Sequence, residues 1–191
     1  MNIIFQIDGG IGKSVAATAV CRAIKSQFPN SNLIVITSYP IVFLCNPNVS
    51  KILSHDNLLY FYKDYIQDKE IKTFLFNPYM ETDFIAGNTH LIQVWCEMFG
   101  IKYNGELPEL FLTHREYTFH SNQLRSDKPI MALQTNGGGG DQANKYSRTR
   151  DLPVTTAQKI IYELQKDYHI VHIRRDDHWR QSSERRLVPT S

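Results

Sequence analysis

Hydrophobic residues in the first forty positions follow two different periods. Asn2–Ile7 is a short apolar segment that ends at a glycine-rich turn, and Leu33–Thr37 is a continuous, β-branched segment. Between them, apolar residues recur at helical spacing from Val15 to Ile24. This helix should end before Phe28-Pro29, because the residue before a proline disfavours helical backbone. The order of strand, turn, helix and strand predicts a right-handed βαβ unit in a parallel sheet.

The alternation of apolar strands and helices continues less regularly to about residue 113. We expect three further apolar strands, at Lys51–Leu53, Phe74–Phe76 and Leu110–Leu112. A helix with apolar residues from Leu91 to Phe99 should be capped by Asn88 or Thr89 and stopped by Gly100. Residues 1–113 are therefore predicted to form a Rossmann-like parallel sheet with helices on both faces.

A second and shorter α/β pattern follows a polar segment. Residues 114–127 carry charges of both signs and read as a linker, and residues 176–191 read as a polar tail. Residues 128–175 predict one further βαβ unit. Its elements are a strand at Pro129–Leu133, a helix capped by Thr155 or Thr156, and a strand at His169–Ile173.

The composition narrows the class of protein. The chain has 191 residues, of which 42% are hydrophobic and 21% charged, as in soluble globular proteins. A net charge of +2 gives no large basic field for nucleic acid. Cys21, Cys45 and Cys96 are odd in number and widely spaced, which excludes a zinc-type ligand pattern and suits a reducing compartment. With neither a signal peptide nor a transmembrane segment in the sequence, we expect a cytoplasmic protein without a metal site.

The stretch IDGGIGKS, Ile7–Ser14, resembles a phosphate-binding P-loop at first reading. The first glycine of that motif is replaced by Ile7, and Asp8 would repel a triphosphate. The later strands also end without the aspartate that holds magnesium in such ATPases. A turn that lets strand and helix approach closely is the simpler interpretation. It would still lie where α/β sheets bind ligands.

Several segments, taken in order, resemble the ADP-heptose:lipopolysaccharide heptosyltransferase-like glycosyltransferases, which have the GT-B fold. They are IDGGIGKSVAATAVCRAIKSQFP, LIVITSYPIVFLCNPNV, HLIQVWCEMFGI, PELFL, KPIMALQTNGGGG and KYSRTRDLP. The likeness covers about nine-tenths of the chain. It implies two Rossmann-like halves, of which the first binds the acceptor sugar and the second binds the nucleotide-sugar donor.

The resemblance also implies roles for residues of the glycine turn. In that family the turn usually reads GGIGD, and its aspartate is thought to deprotonate the acceptor hydroxyl. Lys13 stands at that position here, and a lysine is normally protonated at neutral pH. Asp8 is the alternative base, although it would equally hold Lys13 in its charged form. The other residues that the resemblance places against the acceptor are Gly9, Gly10, Gly12 and Ser14.

The donor side is implied by a second group of residues. Those matching the donor-phosphate loop are Thr135, Asn136, Gly137, Gly138, Lys145 and Ser147. A lysine, hydroxyls and free amides neutralise a leaving nucleoside diphosphate without a metal. The family continues well beyond Arg175, so the donor half should be truncated here, and its exposed apolar face predicts self-association.

Three functions follow as hypotheses. The first is transfer of a sugar from a nucleotide sugar, ADP-heptose-like, to a glycan acceptor, with no cofactor or metal. The second is a truncated, non-catalytic module that binds a sugar or a partner chain. The third is a P-loop ATPase.

Overall fold

A computed structural model describes residues 1–124, 126–135 and 151–173 of the chain. The chain divides into two compact units, Met1–Tyr117 and Thr118–Ser191. Each unit has its own sheet.

The first unit is built on a four-stranded parallel sheet. Its strands are β1 (Asn2–Ile7), β2 (Asn32–Thr37), β3 (Lys51–Ser54) and β4 (Ile71–Phe74). The spatial order is β3-β2-β1-β4, so β1 lies between β2 and β4. Every pair is parallel, with Ile7 opposite Thr37 and Phe5 opposite Phe74. β1 and β2 are apolar along nearly their whole length because they are buried from both sides of the sheet.

Helices cover both faces of this sheet. The helical elements are α1 (Ile11–Gln27), a single turn α2 (Thr82–Ile85), α3 (Leu91–Met98) and a π-helical turn at Tyr62–Ile66. α1 and α3 bury their apolar sides in one core cluster around Phe5 and Trp95. The opposite face, with Ile4 and Ile34, is covered by a π-helical turn at Tyr62–Ile66. The predicted α/β class, with helices on both faces of a parallel sheet, is confirmed.

Two of the predicted strands differ in the structure. The strand expected at Phe74–Phe76 ends at Phe74, and the side chains of Leu75 and Phe76 are 56% and 61% exposed. Pairing with β1 sets this boundary, since the ladder joins only Asn2–Phe5 to Ile71–Phe74. The strand expected at Leu110–Leu112 is absent: this segment is irregular and pairs with none of the strands in the described residues. An apolar run alone does not form a strand where no partner edge is available.

The helix caps also differ from expectation. α3 is capped by His90, whose Nδ1 accepts a hydrogen bond from the backbone N–H of Ile92 at 3.3 Å. Asn88 and Thr89, the predicted caps, instead donate their backbone N–H groups to the carbonyl of Asp83. Gly100 ends the helix with a φ of +63°, as predicted.

The second unit contains the predicted βαβ element. β5 (Ile130–Gln134) and β6 (His169–Ile173) are parallel, and α5 (Val154–Leu164) connects them in sequence. α5 follows Pro153 rather than a threonine cap. The segment predicted to be a linker contains α4 (His114–Gln123), at the junction of the two units. The predicted self-association stays a prediction, and residues 176–191 lie outside the described residues.

Gly9 and Gly12 give a matched test of the turn between β1 and α1. Gly9 has a φ of +86°, where any side chain is strained, whereas a Cβ at Gly12 would meet nothing within 4 Å. Gly9→Ala is therefore expected to lower the free energy of unfolding by about 1–2 kcal/mol. Gly12→Ala should leave it unchanged or raise it slightly, because alanine favours helix. Urea unfolding of both variants compares them, and equal stability would contradict the assigned backbone geometry.

Candidate functional site

The candidate site lies at the carboxyl end of the first sheet, where the strand order reverses. The chain places β2 and β3 on one side of β1 and then returns to place β4 on the other side. Open α/β sheets bind ligands in the crevice at such a switch point. Asp8 directly follows β1, and Asn77 comes shortly after β4. These two residues therefore lie at the edge of the sheet where such a ligand site is expected, one after each of two neighbouring strands.

Lys13 is the centre of the site. Its side chain comes from the first turns of α1 and is only 5% exposed. The ammonium donates a hydrogen bond to Asn77 Oδ1 at 3.0 Å and forms an ion pair with Asp8 Oδ1. It also lies 5.5 Å from the ring centroid of Trp95 and 5.7 Å from that of Tyr79. Two oxygens and two aromatic rings thus compensate a buried positive charge.

Asp8 is the charged group of this cluster that solvent reaches. Its side chain is 64% exposed although it is paired with the buried Lys13. The hydrogen bond from Lys13 holds the pKa of the Asp8 carboxyl below its ordinary value, and the positive charge of Lys13 adds to the effect. A smaller contribution to this lowered pKa comes from the nearby His55. Asp8 is therefore an oriented carboxylate at neutral pH, and it can accept a hydrogen bond from a hydroxyl.

Asn77 connects the ammonium to an exposed aromatic ring. Its Oδ1 also accepts the backbone N–H of Tyr79 at 3.3 Å, which caps a 3₁₀ turn at Pro78–Met80. The Tyr79 ring packs edge-to-face on Phe84, with centroids 5.3 Å apart, and the residue is 42% exposed. The turn that follows β4 thus fixes both an acceptor atom and an aromatic surface beside Lys13.

The ends of β2 and β3 bring further polar side chains to this edge. Ser38 follows β2 directly and His55 follows β3 directly, and Ser38 Oγ lies 3.2 Å from His55 Nδ1. Ser14 is buried, and its Oγ lies 3.3 Å from Thr37 Oγ1, which also accepts the backbone N–H of Tyr39. Ser14 therefore ties α1 to β2, and its predicted contact with an acceptor stays a prediction.

Gly10 and Gly12 of the turn have open space beside their backbone. Ideal Cβ atoms at Gly10 and Gly12 would meet nothing within 4 Å, whereas one at Gly9 would meet Lys13 Cδ at 3.4 Å. Gly10 is the N-cap of α1, and as a glycine it has no side chain that could cap the helix. The first N–H groups of a helix have no acceptor within the helix, so they are suited to bind a ligand's oxygens. The predicted acceptor contacts of these three glycines remain predictions.

The predicted donor residues belong to the second unit. Thr135 is buried at the end of β5, and its Oγ1 lies 2.8 Å from Nε2 of His172. Its carbonyl accepts the backbone N–H of Leu152 at 2.9 Å. The remaining predicted donor residues lie outside the described residues: Asn136, Gly137, Gly138, Lys145 and Ser147.

Sequence reasoning missed five residues that the structure brings to this edge. They are Ser38, His55, Asn77, Tyr79 and Trp95. A signal for three of them exists, because Ser38, His55 and Asn77 follow the carboxyl ends of parallel strands. Trp95 reads as an ordinary core residue of α3, and nothing in its sequence context points to Lys13.

The described parts of the chain contain neither a cluster of metal-binding side chains nor a membrane-spanning helix. Residues 1–124, 126–135 and 151–173 contain no group of three or more histidine, cysteine, aspartate or glutamate side chains that could hold a metal ion. None of the helices in the same ranges is both long enough and apolar enough to cross a membrane.

Comparison with known proteins gives no match by sequence and clear matches by structure. No protein-family model matches the chain, and no curated protein matches it. ADP-heptose lipopolysaccharide heptosyltransferase II from E. coli superposes with a TM-score of 0.61 at 12% identity, over 90% of this chain. A family 9 glycosyl transferase from Veillonella parvula gives the same values. The iron-containing dodecameric glycosyltransferase TibC from enterotoxigenic E. coli gives 0.58 at 12% identity, over 92% of this chain.

These matches define the class of fold. The four-stranded parallel sheet with its helices corresponds to the N-terminal half of GT-B glycosyltransferases, as the sequence resemblance implied. The chain spans 64%, 61% and 42% of the lengths of the three matched structures. Its structural neighbours are thus heptosyltransferase and family 9 glycosyltransferases.

Proposed function

We propose that this protein transfers a sugar from a nucleotide sugar to a glycan acceptor, with the acceptor hydroxyl bound at Asp8. The observation that carries the proposal is the exposed Asp8 carboxylate, held in place by the buried Lys13 at the switch point of a GT-B-like sheet. The glycosyltransferase neighbours support the reaction class. An ADP-heptose-like donor is the particular proposal that the first neighbour suggests.

Asp8 and Lys13 have distinct parts in this proposal. Asp8 is the group that receives the proton of the acceptor hydroxyl as the new glycosidic bond forms. Lys13 is a positioning residue, because its ammonium is already paired with Asp8 and Asn77 and its side chain is only 5% exposed. The lowered pKa of the Asp8 carboxyl keeps the basic form present throughout the neutral range. It also makes Asp8 a weak base that acts through orientation more than through proton affinity.

The donor side of the reaction rests on the second unit. Departure of a nucleoside diphosphate requires positive charge or N–H donors at the pyrophosphate. Lys145, Ser147 and the glycine-rich segment that starts at Asn136 are proposed for this role from the resemblance alone. No metal is needed in this scheme.

Cytoplasmic action is proposed with it, since Cys21 and Cys96 are buried free thiols.

A sugar-binding module without transfer activity is the second candidate. It is favoured by one observation, which is that Lys13 already neutralises Asp8 and weakens it as a base. The ATPase hypothesis has less support. A P-loop lysine must reach the phosphates, whereas the ammonium of Lys13 points to Asp8 and Asn77.

An assay of nucleotide release decides among these functions. The purified chain is incubated with ADP-, GDP- and UDP-sugars and a panel of glycan acceptors, and the free nucleoside diphosphate is measured. We expect acceptor-dependent release that persists in the presence of a chelator. Sugar binding without release would favour the binding module, and magnesium-dependent hydrolysis of ATP would overturn both.

A further inference from the structure

Tyr79 is an exposed aromatic ring that the proposed reaction does not use. It is 42% exposed and lies in the turn after β4, next to the ammonium of Lys13. Its backbone N–H is bound by Asn77 Oδ1, and its ring packs on Phe84 at an interplanar angle of 82°. The turn and the contact with Phe84 therefore hold this ring in one orientation beside the ammonium.

The ring and the Asp8 carboxylate flank the same ammonium. Lys13 Nζ contacts Asp8 directly and lies 5.7 Å from the Tyr79 centroid. An aromatic surface and an oriented oxygen acceptor thus both lie close to the same ammonium. A pyranose ring has the matching pair of surfaces, because one face carries C–H groups and the rim carries hydroxyls. The electron-rich face of an aromatic ring attracts such C–H groups.

The charges at the site select among ligands. The Lys13 ammonium is enclosed by two oxygens and two rings, whereas the exposed charge is the negative one of Asp8. An anionic group placed beside Asp8 would be repelled, and a wholly apolar ligand would remove water from the carboxylate without replacing its hydrogen bonds. A neutral sugar satisfies both the ring and the carboxylate.

We propose that Tyr79 is the platform on which a neutral sugar ring of the acceptor stacks while one of its hydroxyls binds Asp8. This proposal rests on the proposed function and names the class of acceptor that the same site takes. Tyr79 thereby selects for a sugar with an uninterrupted C–H face at the end of the acceptor.

Saturation-transfer NMR with methyl hexopyranosides and methyl heptopyranosides tests the platform. With the wild-type chain we expect the strongest transfer to C–H protons of one face of the sugar. Tyr79→Phe should keep this pattern, since the ring and not the hydroxyl makes the contact. Tyr79→Ala should bind about tenfold more weakly and lose the preference for one face. A methyl glucuronide should bind more weakly than its neutral counterpart.

Tyr62 provides the matched control, because it is 66% exposed in the turn that covers the other face of the sheet. Tyr62→Ala should bind the sugars as the wild type does, and thermal melting checks that each variant is folded. Unchanged binding and face preference in Tyr79→Ala would overturn the platform while leaving sugar binding, and thus the proposed function, intact. Tighter binding of the glucuronide would overturn the selection for neutral sugars. Failure of the wild-type chain to bind any of these sugars would overturn the proposed function itself.

Discussion

Asp8→Asn is expected to lower the rate of sugar transfer by about 10²–10⁴-fold, because it removes the exposed carboxylate that Lys13 orients. The asparagine has the same shape and can still accept a hydrogen bond from the buried ammonium, so the variant should fold. The acceptor KM should change much less than kcat, since the asparagine keeps a polar contact with the hydroxyl. Steady-state assays of nucleotide release measure both constants.

Asp64→Asn is the control for this substitution, because Asp64 is exposed in the turn on the other face of the sheet. It should leave both constants unchanged. If Asp8→Asn transfers sugar at the wild-type rate, then Asp8 is not the base and another group must accept the proton.

The pH dependence of the wild-type rate follows from the ion pair. The folded pKa of the Asp8 carboxyl is lowered, so its basic form persists to a lower pH than that of a free aspartate. The part of the rate that depends on Asp8 should be flat through the neutral range and fall only below about pH 4. The ion pair also stabilises the fold, and this stabilisation depends on pH in the same direction as the rate. It is fully present above the pKa that Asp8 has in the unfolded chain, and it is lost as the pH falls through the lower pKa of Asp8 in the folded chain.

Trp95→Ala is expected to lower the free energy of unfolding by about 3–5 kcal/mol, the usual cost of emptying an aromatic site in a core. Trp95 is fully buried, and its ring packs edge-to-face on Phe5 with centroids 5.3 Å apart. The alanine would also remove one of the two rings that face the ammonium of Lys13. Urea unfolding of the first unit, followed by circular dichroism, measures the loss.

Trp95→Phe separates the effect of ring packing on stability from the effect of the polar N–H group of the indole. Within the described residues, Nε1 of Trp95 is buried without a hydrogen-bond partner, so removing it costs no hydrogen bond. The phenylalanine should therefore recover most of the stability that the alanine loses. A loss below about 1 kcal/mol in Trp95→Ala would contradict the close packing of this core.

Strand and helix positions in the first forty residues were predictable because each element has a strong pattern of its own. The apolar β1 and β2, the helical spacing of α1 and the stop before Pro29 all depend on local chemistry. The errors lie where neighbours decide the outcome. Phe76 and Leu110 belong to apolar runs, yet both are exposed, and within the described residues neither belongs to a strand.

Only part of the candidate site could be predicted from the sequence. Asp8 and Lys13 are five positions apart, and the turn between β1 and α1 brings them together by itself. Asn77 is 64 positions from Lys13 in the sequence, so its contact exists only because β4 pairs with β1. The same pairing places Tyr79 beside the ammonium, and the packing of α3 on α1 places Trp95 there.

The sequence by itself determined the kind of sheet and the position of an acidic residue at the end of its first strand. Its local periods specify strands and helices, and its glycines specify the turn. Only the tertiary structure decided that Lys13 is buried and paired while Asp8 is exposed. Burial depends on which side chains arrive from distant parts of the chain, and that follows from the pairing of β4 with β1 rather than from any local pattern.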